Sequence, residues 1–302
     1  MNPTERLKGL TPFVTAARSG SFAAAAGELN LTSSAIGKSV ARLEQRLGTR
    51  LFERTTRRLK LTDAGQAFYE TCTRVLNDLA DAEAVLASHA QTPMGRLRID
   101  LPASFGRLVV MPVLIDFCQR HPYLCPHITF TDRFVDLIDE GVDVAVRIGG
   151  VNNLPAAIGY HYLGTERLIF CAAPSYLARR GAPTAIDRLS GHDCVVYGKS
   201  NGVAGQWSVS TGEGYSGPIA VPHRMMFSDS EAQVAAIEAG AGIAQIATWL
   251  VNNSLRSGKL AHILTEQSAD GLPLYLLWPK ARRLTPKIDL LLQDLTERLT
   301  IV

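Results

Sequence analysis

The feature that most restricts the fold is a regular apolar seam between residues 62 and 89. Apolar side chains recur there at alternating spacings of four and three residues, which is the repeat of one helix face, at Ala64, Phe68, Cys72, Val75, Leu79, Ala82 and Leu86. Thr62 is suited to cap this helix and Asp63 to lie at its positive end. Such a helix spans roughly 40 Å. The seam therefore predicts a connecting helix over residues 63–91, between a body of residues 1–62 and one of residues 95–302.

Charge divides the chain at the same place. Residues 1–62 hold 11 Lys and Arg against 4 Asp and Glu, a net charge of +7, whereas residues 63–302 carry a net charge of −4. A small basic module attached to a mildly acidic larger body is typical of a chain whose module meets a polyanion.

Composition excludes several other classes of protein. With 46% hydrophobic and 20% charged residues, the chain is neither disordered nor fibrous. No apolar stretch reaches the roughly 18 residues of a membrane span, and no secretory signal pattern opens the chain. We expect a cytoplasmic protein with no membrane partner. Five cysteines without a Cys-x-x-Cys pair predict reduced thiols.

Catalytic and metal-binding signatures are absent from the sequence. It contains no Gly-x-Ser-x-Gly elbow, no His-Glu-x-x-His motif and no phosphate-binding loop, and the seven histidines do not fall at ligand spacing with cysteines. We therefore expect no enzyme activity, no cofactor and no metal.

The basic module has the pattern of a helix-turn-helix. One helix, beginning near Thr32, carries a buried stripe at Ile36, Val40, Leu43 and Leu47. Its opposite face is small, polar and singly cationic, so it can enter a DNA major groove about 12 Å wide. Ser21 is suited to cap the preceding helix. A short turn over residues 30–32 joins the two helices, and Thr32 is suited to cap the second.

Two further features complete the module. Residues 49–62 predict a hairpin whose turn gathers Arg54, Arg57 and Arg58, where guanidinium groups could meet phosphates. Pro12 lies within an earlier helical segment and removes a backbone donor. That helix is expected to begin late, with Thr11 as its cap, or to be kinked.

The run from Phe13 to Gly65 resembles the amino-terminal domain of LysR-type transcriptional regulators. The resemblance is carried by Ser-Gly-Ser-Phe at residues 19–22, ARLEQRLGTRLFER at residues 41–54 and LTDAG at residues 61–65. It implies a winged helix-turn-helix that binds double-stranded DNA. It also implies that the connecting helix pairs antiparallel with the same helix of a second copy, in a homodimer or homotetramer. The residue pattern alone also allows the connecting helix to pack on its own body. The implied DNA-binding residues are Ser33, Ser34, Gly37, Lys38, Arg42, Arg54, Arg57 and Arg58. The family commonly has Gln, Ser and Arg where this chain has Ser33, Gly37 and Lys38.

Residues 95–302 alternate strand-like and helix-like segments, which predicts an α/β fold with a mostly parallel sheet. Helices are expected from Ser104 or Gly106 to Phe117 and from Phe134 to Glu140. The phrases PVLIDFCQRHP, DRFVDLIDEGVDVAVRIG and EAGAGIAQIA resemble the effector domain of the same regulators, which is similar to type 2 periplasmic solute-binding proteins. The resemblance implies two lobes, lobe I at about residues 95–165 and 271–302 and lobe II at about residues 166–270, with a small-molecule effector between them.

Ligands of such folds lie where strands end, in the cleft between the lobes. Candidate effector-binding residues at those positions are Ser104, Phe105, Thr131, Asp132, Arg147, Phe227, Ser228 and Asp229. Ser104 at a helix start and the Arg147 guanidinium favour an anionic or polar ligand. The alternatives are a plain helix cap for Ser104 and, for Arg147, an ion pair with Asp132, Asp136 or Asp143.

These patterns predict a regulator that binds a partly palindromic promoter site as an oligomer and responds to a small metabolite, with RNA polymerase as a further candidate partner. One alternative is a solute-binding module whose basic head is a nonspecific tether. Another is a thiol-based redox sensor of the same family using Cys118 and Cys125.

Overall fold

The computed structural model describes residues 7–53, 59–87, 93–150, 154–198, 203–211, 215–282 and 285–299. The chain divides into two compact units, Met1–Gln91 and Thr92–Val302. In the part of the chain that the structure describes, no helix combines the length and apolarity needed to cross a bilayer.

The N-terminal unit opens with three helices, α1 Leu10–Ser19, α2 Phe22–Leu29 and α3 Ser33–Leu47. The two predicted caps are present: Ser21 Oγ accepts from the Ala24 N–H at 3.1 Å, and Thr32 Oγ1 accepts from the Ala35 N–H at 3.2 Å. The helices close around an apolar core that includes Phe13, Ala16, Ala25, Ile36, Val40 and Leu43. The helix-turn-helix pattern is confirmed.

The first helix differs from the prediction. It begins at Leu10 after Gly9, whose φ is +87°, so the expected cap at Thr11 is wrong. Pro12 falls in the first turn of α1, where backbone N–H groups have no partner within the helix. Its missing donor therefore removes no helical hydrogen bond.

A two-stranded hairpin follows, with β1 Phe52–Glu53 antiparallel to β2 Lys60–Leu61. The hairpin tip with Arg54, Arg57 and Arg58 lies outside the described residues. Thr62 Oγ1 then accepts from the Gly65 N–H at 2.9 Å and caps the long helix α4, Asp63–Ala87. A Cβ on Gly65 would lie 2.0 Å from the Leu51 carbonyl oxygen, so only glycine fits there.

The seam of α4 behaves differently along its length. Cys72 is buried in the core of the N-terminal unit, with Phe68 and Leu76 packed beside it. Burial raises the pKa of the Cys72 thiol to about 11. Farther along, Val75 and Leu79 are 40% and 45% exposed. The first part of the seam therefore packs on its own unit, and the next part is uncovered.

The C-terminal unit is built on a nine-stranded sheet and a separate two-stranded one. The strands are β3 Gly95–Leu101, β4 Leu124–Phe130, β5 Val144–Ile148, β6 Ile158–Ala172, β7 Cys194–Tyr197, β8 Trp207–Thr211, β9 Tyr215–Ile219, β10 His223–Phe227, β11 Ile243–Ala247, β12 Ala261–Ile263 and β13 Ala269–Pro279. The helices are α5 Ala103–Phe105, α6 Met111–Arg120, α7 Pro174–Arg180, α8 Ser230–Glu238, α9 Thr248–Arg256 and α10 Pro286–Arg298. A π-helical turn, Gly106–Val110, lies between α5 and α6. Three further turns are 3-10 helices, at Ile186–Gly191, Thr265–Gln267 and Lys280–Arg282.

The order of the large sheet is β10-β7-β11-β6-β13-β5-β3-β4, with β12 also paired to β6. Its outer parts are parallel, as expected, between β3, β4 and β5 and between β7, β10 and β11. The centre of the sheet is antiparallel, because β6 and β13 run antiparallel to each other and to their neighbours β11 and β5. The α/β fold is confirmed, and the mostly parallel sheet is corrected to a mixed one.

The two central strands connect two lobes. β6 pairs with β13 from Ile158 to Leu168, and its last part, from Leu168 to Ala172, pairs with β11. Lobe I comprises β3, β4 and β5 with α5, α6 and α10, and lobe II comprises β7, β10 and β11 with α7, α8 and α9. Each lobe has its own apolar clusters, around Leu97 and Leu276 in lobe I and around Phe170 and Ile246 in lobe II.

The helix expected from Phe134 to Glu140 is not formed, and residues 137–140 are a turn. Asp136 Oδ1 accepts from the N–H groups of Ile138 and Asp139 at 2.9 and 3.0 Å. A short carboxylate that bonds the backbone nearby offers it an alternative to the helical pattern. Apolar spacing alone could not reveal that competition.

Candidate functional site

The outer face of α3 carries five of the candidate residues. Ser33, Ser34, Lys38 and Arg42 are exposed and Gly37 is half-buried. The residues that hold α3 to its unit, Ile36, Val40 and Leu43, are buried on the other side. No bulky apolar side chain stands between the exposed residues, so this face is free to approach a flat or grooved surface.

The hairpin is fixed to α3 by Glu44. Its Oε1 accepts from the N–H groups of Leu51 and Phe52 at 2.7 and 3.1 Å, where the chain enters β1. This carboxylate sets the direction in which the hairpin leaves the helix. Sequence reasoning did not identify Glu44, because an exposed-looking glutamate on a helix gives no signal of a bond seven residues away.

A second group of candidate residues lies where the two lobes of the C-terminal unit meet. Ser104, at the start of α5 in lobe I, is buried, and its Oγ lies 2.9 Å from the Ser230 Oγ at the start of α8 in lobe II. The Arg107 guanidinium, in the π-helical turn, pairs with Glu231 of α8. The two lobes are therefore joined here by a hydroxyl pair and an ion pair. The sequence analysis did not identify Arg107, Ser230 and Glu231.

Two carboxylates near this junction bond the backbone of different lobes. Asp132 Oδ1 accepts from the Ala103 N–H of lobe I at 2.9 Å, and Asp229 Oδ1 accepts from the Ala232 N–H of lobe II at 2.7 Å. Burial raises the pKa of Tyr197, and the charges of Asp132 and Asp229 raise it further. Since both carboxylates act on one phenol at the end of β7, the structure brings these residues together. Tyr197 ends a strand, which is the signal that could have found it.

The other candidates of this region differ in chemistry and in burial. Phe105 is fully buried and meets the ring of Trp249 edge-on, with ring centroids 5.1 Å apart. Phe227 is half-buried and packs against the apolar core of lobe II. Thr131 Oγ1 accepts from the Arg133 N–H at 3.2 Å, and Ser228 is exposed. The two phenylalanines thus contribute packing, and the two hydroxyls contribute polar groups at the surface.

Arg147 is engaged by the protein itself. Its side chain is 4% exposed, and its Nη2 donates to Asp100 Oδ1 at 2.6 Å while Nη1 donates to the Val146 carbonyl at 2.7 Å. Asp100 also accepts from Thr129 Oγ1 at 2.5 Å.

None of the three carboxylates proposed as partners of Arg147 is the one it meets. Asp132 accepts from the Ala103 N–H, Asp136 bonds the backbone of its own turn, and Asp143 pairs with Arg282. The candidate partners were all close in sequence to β4 or β5. Asp100 lies on the neighbouring strand β3, and the pairing of β3 with β5 cannot be deduced from sequence spacing.

The thiol alternative finds little support in the geometry. Burial raises the pKa of the half-buried Cys118, and Cys125 is exposed on β4. Cys171 and Cys194 are buried, with pKa values raised to about 12 and about 11, chiefly by burial. Since the thiolate is the reactive form, a raised pKa makes the thiols of Cys118, Cys171 and Cys194 less reactive. Within the described ranges, no three His, Cys, Asp or Glu side chains group as a metal site requires.

Comparison with known proteins matches both units. Residues 7–66 match the family model of bacterial regulatory helix-turn-helix proteins, lysR family, and residues 90–300 match the LysR substrate binding domain. The HTH-type transcriptional regulator CrgA of Neisseria meningitidis serogroup C (strain 8013) is 32% identical over 261 residues, which are 86% of each chain. The HTH-type transcriptional activator AaeR of Escherichia coli (strain K12) is 30% identical over 97% of this chain and 94% of its own. The solved structure of the Neisseria meningitidis CrgA covers all of both chains with a TM-score of 0.63 at 29% identity.

Proposed function

Because the chain belongs to the LysR family of bacterial transcriptional regulators, which are not enzymes, we propose that it binds a partly palindromic promoter site as an oligomer and responds to a small polar metabolite. A regulator of chromosomal promoters acts in the cytoplasm, where RNA polymerase is a further proposed partner. The observation that carries the proposal is the exposed, small and polar face of α3 beside a hairpin fixed by Glu44. Ser33, Ser34, Gly37, Lys38 and Arg42 are proposed to meet DNA from this face.

The proposal assigns different roles to the helix and the hairpin. A short polar or cationic side chain on α3 reads base edges, so its loss changes the preference among sites. The arginines of the hairpin tip meet phosphates, and phosphate contacts carry no base information. Lys38 and Ser34 are proposed to read bases, and Arg54, Arg57 and Arg58 to hold the backbone.

The experiment is a footprint on the DNA upstream of the gene for this protein, followed by competition with random duplex. We expect a protected stretch with two related half-sites. Lys38→Ala should alter the preference among half-site variants, and Arg57→Ala should weaken binding to all of them equally. Binding that protects no defined stretch would support the nonspecific tether instead.

Self-association is proposed to use the uncovered part of α4. Val75 and Leu79 follow the buried Cys72 in the seam and are exposed, and exposed apolar side chains in register on one helix favour a partner helix. A second copy supplies one by symmetry and presents two α3 helices to two half-sites.

Substitution of the seam tests this assignment. Leu79→Asp places a charge on the uncovered apolar face, so it should shift the sedimentation coefficient toward that of a monomer and weaken the footprint. The matched control is Thr71→Asp, which adds the same charge at an exposed position of α4 outside the seam. It should leave both measurements unchanged. An unaltered sedimentation coefficient in Leu79→Asp would exclude this face from the interface.

The effector is proposed to bind between the lobes, near Ser104, Thr131, Asp132, Ser228 and Asp229. Arg147 and Arg107 are both paired with carboxylates, and the Ala103 N–H at the start of α5 is bonded to Asp132. Two carboxylates with several hydroxyls therefore favour a polar ligand that donates hydrogen bonds over a strongly anionic one.

A ligand regulates only when it binds two states with different affinity. The contacts Ser104–Ser230 and Arg107–Glu231 cross the cleft and are the groups whose geometry a bound molecule would change. To test the site, calorimetry is used to find a polar metabolite that binds the full chain. Its affinity is then measured for the Asp229→Asn and Asp132→Asn variants. Retained affinity in Asp229→Asn and in Asp132→Asn would place the effector elsewhere.

A further inference from the structure

A basic groove of about 710 Å³ runs beside α3 in the N-terminal unit. It lies between α3 and the segment of Lys8 and Gly9 that precedes α1. Its lining residues are Lys8, Gly9, Ala35, Lys38, Ser39, Arg42, Leu43, Gln45 and Arg46. Only Lys38 and Arg42 of its cationic residues were expected from the sequence to have a role.

The wall opposite α3 lies close to this helix and is bonded to it. Arg46 Nη2 donates to the Lys8 carbonyl at 3.1 Å. A Cβ on Gly9 would lie 3.3 Å from the Ser39 carbonyl oxygen, and the φ of Gly9 is +87°. Glycine therefore lets the chain cross α3 closely in a left-handed conformation, and the groove is a built feature of the unit.

The charge of the groove selects its occupant. Among its nine lining residues, which all belong to the described part of the chain, four are cationic and none is acidic. A surface with several cations and no carboxylate attracts a polyanion strongly, with little preference for neutral or cationic molecules. Ser39 adds a hydroxyl beside these charges.

The position of the groove on α3 is informative. At about 100° per residue, Arg42 and Arg46 each lie about 160° around the helix from Glu44. Glu44 holds the start of the hairpin, so the hairpin and the groove flank α3 on opposite sides. Ser34 lies between them, about 80° from Glu44 and from Arg42. Lys38 and Gln45, which face outward, also line the groove, so the groove opens onto the outer face of α3.

A helix in the major groove of DNA has one phosphate backbone on each side. We propose that the groove of Lys8, Ser39, Arg42 and Arg46 holds the sugar-phosphate backbone of one DNA strand, while the hairpin meets the other strand. This inference rests on the proposed function, since it needs α3 to enter the major groove. It adds a second phosphate-binding flank, with Lys8, Ser39 and Arg46 as new contacts.

The first test measures affinity of the full chain for the footprinted fragment and for random duplex between 50 and 200 mM salt. Lys8→Gln and Arg42→Gln each remove one charge at an exposed position. Each should weaken binding to both duplexes by the same factor, about ten-fold at 50 mM and about three-fold at 200 mM, because one lost phosphate contact lowers the salt slope by about 0.9.

The matched control is Arg18→Gln at the other end of α1. Arg18 is 63% exposed and pairs with Glu28, so this variant removes the same charge from the same unit away from the groove. It should bind within two-fold of the unaltered chain with an unchanged salt slope. Thermal melting of all three variants verifies that each remains folded.

The second test uses duplexes in which single phosphates are replaced by neutral methylphosphonates. Neutralising a phosphate that Arg42 binds should weaken DNA binding by the unaltered chain and leave binding by Arg42→Gln unchanged. The phosphates identified in this way should lie on one strand. Those identified with Arg57→Gln should lie on the other strand.

The outcomes separate the inference from the proposed function. If the unaltered chain shows no DNA binding, the proposed function itself fails. If Arg57→Gln weakens binding and the Lys8 and Arg42 variants do not, the proposed function stands and the groove proposal is overturned. Phosphates of Arg42 and Arg57 found on the same strand would overturn it as well.

Discussion

The two units use their polar residues in different ways. On α3 of the N-terminal unit, Ser34, Lys38 and Arg42 are exposed and the fold is held by apolar residues on the other side of the helix. Between the lobes of the C-terminal unit, Ser104 and Asp132 are already bonded to other groups of the protein. Polar residues on a surface that binds a large partner need not stabilise the fold. Between lobes, polar residues lie at the ends of helices and strands, where the backbone groups need hydrogen-bond partners.

The largest expected effect tests whether Arg147 belongs to the fold or to a ligand site. Arg147→Met removes the partner of the buried Asp100 carboxylate and should lower the free energy of unfolding by about 3–5 kcal/mol. Denaturant titration followed by tryptophan fluorescence measures it, because Trp207, Trp249 and Trp278 all lie in the C-terminal unit.

Arg133→Met is the matched control for Arg147. The Arg133 guanidinium makes two 2.8 Å contacts with Glu140 at the surface, and loss of such an exposed pair should change stability by less than about 1 kcal/mol. If Arg147→Met keeps its stability and loses only the response to effector, Arg147 is a ligand contact and the contrast between the units breaks down.

The next effect concerns the exposed polar face of α3. Lys38→Ala should change the preference between half-site variants by about 1–3 kcal/mol, while the free energy of unfolding changes by less than about 0.5 kcal/mol. Competition binding with duplexes altered at one base pair at a time measures the preference, and Arg18→Ala is the charge-matched control. A uniform loss of affinity for every duplex would assign Lys38 to the phosphates.

The smallest effect is a pH dependence located between the lobes. Glu166 on β6 is buried, its Oε1 accepts from the Trp249 indole N–H at 2.9 Å, and its Oε2 accepts from the Leu272 N–H at 3.3 Å. Burial raises its pKa above the ordinary value, and these hydrogen bonds only partly oppose that rise. The folded state therefore binds the proton more tightly than the unfolded state.

The sign of the pH effect follows from that difference. The contribution of Glu166 to stability is fully present below its ordinary pKa and is lost as pH rises through the raised one. Glu166→Gln does not titrate, so its stability relative to the unaltered chain should increase as pH rises through this window. Unfolding titrations of both proteins at several pH values measure the difference. A difference that is constant with pH would contradict the role given to burial of Glu166.

Much of the N-terminal unit could be predicted from the sequence because its signals are local. Ser21, Thr32 and Thr62 cap the helices expected of them, since a cap acts within three residues of its own position. The start of α1 was missed because Gly9 begins the helix through a left-handed φ without a side-chain cap. The position at which α1 begins depends on the close approach of Gly9 to Ser39, which are distant in the sequence.

The cleft was harder to predict because its partners are distant in the chain. The bond between Ser104 and Ser230 and the pair of Arg147 with Asp100 depend on sheet order and register. The positions of the strand ends placed Asp132 and Asp229 near one another, and the charges of both act on Tyr197. Those positions could not show which polar groups the fold itself would use.

The place of β13 between β5 and β6 has a consequence for biosynthesis. This strand is made after most of the chain has left the ribosome, yet it completes the sheet of lobe I that begins at Gly95. Until residues 269–279 emerge, β5 and the first part of β6 have open edges, which can pair wrongly with other chains. The DNA-binding head depends on no late segment and is finished first. Because residues 1–91 form a compact unit of their own, we expect the head to fold while the sheet of the C-terminal unit still has open edges.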